Sequence, residues 1–374
     1  MDHKHMIMQR ANELIEHHLE EVLRQALHQV QHDLHVPPLL ETVPPMWALL
    51  RLAEGGRALP EALGAVVKSA VNQARREALM HILGAGASAL EKLLTAQALP
   101  ELTPEDILAL EFVFLLYGRP ALVVTQGRLA QVPQVWEIVE NQRQDIEMTQ
   151  RGAGRIELVG HSDYEWAGTG FLVGHTCVMT TRSVAQMFAK RQDAGAWQYR
   201  PGNSARMDYQ EDYQRPAAAA YRVRGVMGVH GRYDLALLEV EPPRQDGESP
   251  TPLVLSAAAP WPTEGRPVYL VSYPVRDARH GESDTVARVF CDVYNGKRVQ
   301  PGRLRGIDQV RDTYVLRHDC APLGHLGGGC LVDLETHHVL GLHVSGRYLE
   351  NGAAVPLWIL QGDPLLKKGR VTWV

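Results

Sequence analysis

Hydrophobic residues change their spacing part-way along this chain, and no single fold class accommodates both halves of the pattern. From about Met6 to His35, Ile7, Ala11, Leu14, Ile15, Leu19, Val22, Ala26 and Val30 recur at steps of three and four, the spacing of a helix with one apolar stripe. Pro37-Pro38 ends it. A second helical stretch runs from about Pro60 toward Leu94, with Leu63, Val66, Val67, Ala70 and Val71 on its inner side. A third opens at Thr103, whose hydroxyl can cap the first turn, with Pro104 inside that turn and Glu105 and Asp106 at the positive end of the helix dipole. Residues 1–118 therefore read as an α-helical domain.

Residues 119–153 read as a connector: Ala121–Thr125 is a strand running into a turn at Gln126-Gly127, and Pro133 to about Thr149 is a helix. From Gly154 the helical period disappears. Short runs rich in Val, Leu and Tyr alternate with Gly and Pro turns: Ile156–Val159, Thr169–Val173, Cys177–Thr180, Tyr221–Val226, Leu235–Val240, Val268–Ser272, Thr313–Arg317, Cys330–Asp333 and Val339–Val344. That pattern predicts an all-β body of barrels or a sandwich over 154–374, and an α+β multidomain chain as a whole. The span Arg191–Ala220 reads as a long surface loop.

Composition removes several classes of function. Lys and Arg number 38 against 43 Asp and Glu, a net charge of −5, so nothing pulls the chain toward nucleic acid or an anionic membrane. The longest apolar run, Phe112–Tyr117, falls far short of the roughly 18 residues of a spanning helix. Met1–Gln9 is polar and His-rich rather than secretory in character, which predicts a cytoplasmic location. The four cysteines, Cys177, Cys291, Cys320 and Cys330, lack the paired spacing of a zinc or redox site and read as reduced, buried thiols. His28 and His32 share a helical face, but no third ligand follows at a metal-binding spacing. With no phosphate-cradling glycine loop either, the sequence implies no cofactor and no metal.

Four segments, in a fixed order, carry a resemblance. Gly168–Gly174 (Gly-Thr-Gly-Phe-Leu-Val-Gly) followed by Val178–Ala185 (Val-Met-Thr-Thr-Arg-Ser-Val-Ala) is similar to the strand and turn that deliver the catalytic histidine in trypsin-like serine peptidases. Tyr233–Val240 resembles the strand that presents their aspartate, His318–Asp333 their nucleophile loop, and Val339–Gly346 the strand lining their specificity pocket. The resemblance covers about Gly154–Leu357 and implies two six-stranded antiparallel β-barrels with the active site in the cleft between them.

Family chemistry requires a hydroxyl nucleophile, an imidazole to take its proton and a carboxylate that orients the imidazole. Here the resemblance puts Ser183 at the histidine position, Gly327 at the nucleophile position and Asp234 at the aspartate position. In the oxyanion loop, His325-Leu326 stands before Gly327-Gly328, and His325 replaces a glycine whose amide helps form the oxyanion hole. A hydroxyl cannot shuttle a proton near neutral pH as imidazole does. The expectation is a catalytically degenerate peptidase homologue that binds a protein or peptide segment.

Other readings stand beside it. Cys330 is either a displaced nucleophile or an inert core thiol, and His325 either a base for water or a loop histidine. His175 sits in a turn before Ser183. His343, in Gly341-Leu342-His343, resembles the pocket residue of glutamate-preferring members and would, with Ser345 and Gly346, contact a partner; otherwise it is a barrel-wall residue. Similar domains with helical N-terminal extensions occur in bacterial signalling and defence proteins, so the resemblance implies an assembly role for residues 1–118; the stripe from Ile7 to Val30 is wide enough to pack on its own domain or, in a homo-oligomer, on a second copy. The rivals are a residual hydrolase and a purely structural subunit.

Overall fold

The computed structural model describes residues 88, 121–129, 132, 136–193, 195–212, 220–242, 250–273, 296–320, 327–346 and 352–374. The chain divides into two compact units. The first comprises Met1–Pro120, Gln131–Glu137 and Ala278–Val293, and the helices expected within residues 6–118 lie, apart from Ser88, which is helical, outside the described residues. The second unit holds the rest of the chain, and no described helix is long and apolar enough to cross a membrane.

The second unit is built from two rings of antiparallel strands. Its first barrel is formed by β3 (Ala153–Val159), β4 (Trp166–Gly174), β5 (Cys177–Thr180), β8 (Ser204–Asp208), β9 (Tyr221–Val229) and β10 (Ala236–Val240). All pairings are antiparallel, and the ring closes in the order β10-β5-β4-β3-β8-β9. Branched and aromatic side chains on alternate positions face inward, and Ile156, Leu172, Val178, Met207, Val223 and Leu238 form the core.

A second ring follows from β11 (Pro267–Ser272), β12 (Arg298–Val310), β13 (Thr313–His318), β14 (Cys330–Asp333), β15 (Val339–Ser345) and β16 (Gly352–Pro356). Its pairings run β11-β14-β15-β16-β13-β12 and return from β12 to β11. Val268, Leu270, Leu304, Leu316 and Leu331 fill it. Two strands of the connector, β1 (Leu122–Thr125) and β2 (Arg128–Leu129), extend this sheet, since Leu122 pairs with Val299 and Val124 with Leu129.

The expected connector helix is present in two pieces, α1 (Glu137–Asn141) and α2 (Arg143–Thr149), interrupted at Gln142, where ψ is 12°. Two further helices matter below: α3 (Arg182–Phe188) and α4 (Pro364–Lys368). The reading of Arg191–Ala220 as loop is corrected by β7 (Trp197–Tyr199), which pairs with β6 (Ala189–Arg191), and by β8, a strand of the first barrel. In β8 only Ala205 and Met207 face the core while Arg206 points outward, too little apolar signal for a strand to stand out in sequence.

Candidate functional site

The end of β5 and the start of α3 position the first group of residues. Thr181 is the N-cap of α3: its backbone is extended and its hydroxyl accepts the N–H of Val184, satisfying a donor that a helix start leaves without an intrahelical partner. Ser183 then falls in the first turn with its side chain exposed.

Asp234 faces it from the loop between β9 and β10. One carboxylate oxygen accepts the backbone N–H of Ser183 at 3.0 Å and the other accepts its hydroxyl at 2.9 Å. The loop itself is clamped: Arg182 donates from Nη2 to the carbonyls of His230 and Tyr233, both at 2.5 Å. His230 accepts the N–H groups of Arg232 and Tyr233 on Nδ1, and its Nε2 lies 3.3 Å from Asp363, the N-cap of α4. Asp234 is thus held in place by residues other than the one it would orient.

Gly327–Gly329 leads from outside the described residues into β14. Gly328 donates to the carbonyl of His343 at 2.8 Å, and His343 donates to that of Gly329 at 2.9 Å. Gly328 has φ +105°, and a Cβ there would overlap the carbonyl of Thr169, so this position admits only glycine. Thr169 in turn donates its N–H to the carbonyl of Gly327 at 3.4 Å. These bonds bring Gly327 against the β5–α3 corner: a Cβ built on it would lie 2.7 Å from Cγ2 of Thr181. Ser183, Asp234 and Gly327 therefore lie on adjoining elements. His325 and Leu326 lie outside the described residues.

His343 is 4% exposed, and its Nδ1 lies 3.0 Å from Nε2 of His318, itself fully buried. Ser345 is exposed at the end of β15 and Gly346 buried just beyond it. Cys330 is a free, fully buried thiol whose pKa burial pushes up to about 12. His175 is exposed in the turn between β4 and β5. Elsewhere, the carboxylates of Glu157, Asp208 and Glu211 come together, with Arg155 at 2.7 Å from Glu157 and 3.4 Å from Glu211.

Residues 168–342 match the family description of the trypsin-like peptidase domain. The chain carries a trypsin-like peptidase domain. Among solved structures, the Rv3671c protease of M. tuberculosis in its active form is 17% identical, with a TM-score of 0.42 over 74% of this chain and 96% of its own. The serine endoprotease from Yersinia pestis is 14% identical, with a TM-score of 0.42 over 61% of this chain and 66% of its own. Kallikrein-related peptidase 10, in complex with Zn2+, is 14% identical, with a TM-score of 0.39 over 57% and 93%. No curated protein matches the sequence.

Within the peptidase domain, sequence reasoning missed the Thr181 cap, the Arg182 clamp and the His318 partner of His343. Thr181 was within reach, because a threonine directly before a helical run is a capping signal. The other two depend on contacts between distant segments.

Proposed function

We propose that this chain is a catalytically silent peptidase homologue that acts by binding protein, as an assembly or regulatory subunit of a bacterial signalling or defence system. One observation carries the reading: the hydroxyl of Ser183 lies 2.9 Å from the Asp234 carboxylate, at the position where the family's chemistry needs an imidazole. A triad histidine takes a proton on one ring nitrogen while the aspartate holds the other. Serine has a single oxygen, already engaged with Asp234, and so no second atom to carry a proton toward residue 327. Residue 327 supplies no oxygen to attack with. In a triad enzyme the loss of either group lowers kcat by about a millionfold.

The thiol alternative has little support. A cysteine that is fully buried and pushed to about 12 carries almost no thiolate near neutral pH. Binding is supported by β15. Its Ser345 pairs with Ala353 of β16 on one side, while on the other side, among the described residues, the backbone bonds end at His343 with Gly328 and Gly329. An extended protein segment can add itself along such an edge. In this reading residues 1–118 supply the assembly function, through the apolar stripe that their sequence spacing gives from Ile7 to Val30.

A peptide library incubated overnight with the full-length protein tests both halves of the proposal. Peptides retained by the protein should be recovered intact by mass spectrometry, and a bulky substitution such as Ser345→Trp should reduce their retention. Retained peptides cut at a single bond would contradict the proposal, as would retention of none.

A further inference from the structure

We infer that Thr181 occupies the place of the missing nucleophile, so that the peptidase centre is filled rather than vacant. The inference rests on the proposed function and adds a third residue to the two replaced triad positions.

At Gly328 a left-handed φ already disfavours any side chain; at Gly327 the obstacle is space. A Cβ on Gly327 would lie 2.7 Å from Cγ2 of Thr181 and 3.0 Å from the carbonyl oxygen of Val344, where ordinary carbon contacts begin near 3.5 Å.

The threonine methyl cannot easily swing away. Thr181 is 1% exposed, and its hydroxyl accepts the N–H of Val184 at 3.2 Å. On a β-branched residue the hydroxyl and the methyl turn together about one torsion. Any rotamer that moves Cγ2 off position 327 also takes Oγ1 off Val184 and uncaps α3. The cap therefore fixes where the methyl points, and the methyl fills the space a nucleophile's Cβ requires. A serine at 181 keeps the cap and lacks the methyl. A valine keeps methyls and lacks the cap.

The test is a double-mutant cycle on the full chain, read by calorimetric melting temperature. Gly327→Ala alone should lower it by about 5 °C, as overpacking does. In a Thr181→Ser background the same change should cost less than half as much, and in a Thr181→Val background it should cost at least the full amount. If Gly327→Ala alone does not fold, recovery of a folded chain by Thr181→Ser supports the inference. An equal drop in the wild-type and Thr181→Ser backgrounds, or failure to fold in both, overturns it. Either of those failures leaves the proposed function standing. Peptide cleavage by the natural protein would overturn the proposed function and leave the cycle's coupling untouched.

Discussion

Ser183 and Gly327, the two positions that the proposal assigns to lost triad groups, differ in how the surrounding structure treats them. Ser183 sits at an exposed helix start, and the carboxylate opposite still receives two hydrogen bonds, one from a backbone N–H and one from a side chain. Gly327 is buried, and the space its side chain would need is held by a threonine methyl. Exposure accounts for the difference. At the surface, water fills whatever volume a smaller side chain leaves, so a polar contact can be exchanged for another. In the interior a lost side chain leaves a cavity that destabilises by about 24 cal/mol per Å3, and a well-packed neighbour takes its place.

This contrast makes the glycine half the sensitive one. The largest effect should come from Gly328→Ala, which combines a φ of +105° with overlap on the Thr169 carbonyl and should cost about 3 kcal/mol or more by denaturant titration. Asp234→Ala should cost about 1 kcal/mol, because it removes the acceptor of two hydrogen bonds at a half-buried position. A loss there as large as that of Gly328→Ala would break the contrast.

Smaller still is Ser183→His, which alters an exposed side chain and should stay within about 0.5 kcal/mol of the natural protein. The smallest effect is on Cys330. With its thiol at about 12, about one molecule in ten thousand carries the thiolate at pH 8, so iodoacetamide should leave it unmodified in the folded protein and label it in denaturant. Raising the pH increases the thiolate, so any labelling of the folded chain should grow steeply with alkalinity. Rapid labelling at pH 8 would reopen the thiol reading.

Much of the β body was legible in the sequence. Cys177–Thr180 and Cys330–Asp333 are runs of buried residues, and the structure gives them the bounds read from the sequence. Strands whose burial depends on distant partners were not legible. β12 begins with Arg298 and Gln300, both almost fully buried, because Arg298 donates to the carbonyl of Ala121 and Gln300 to the hydroxyl of Ser272. β16 is a run of glycine and alanine that packs against β13 and β15 with little hydrophobic contrast of its own. The motif blocks singled out residues 183, 234 and 327, and the structure places them on adjoining elements. The contact of Thr181 with residue 327 and the pairing of His318 with His343 could not be read, since each joins distant segments.

The account stands or falls on the absence of chemistry, and the most direct measurement compares peptide hydrolysis by the natural protein with that by Asp234→Asn and by a version carrying Ser183→His, Gly327→Ser, His325→Gly and Thr181→Ser. The account predicts that the natural protein and Asp234→Asn are equally silent and that cleavage appears in the substituted version. Hydrolysis by the natural protein that disappears in Asp234→Asn would contradict it.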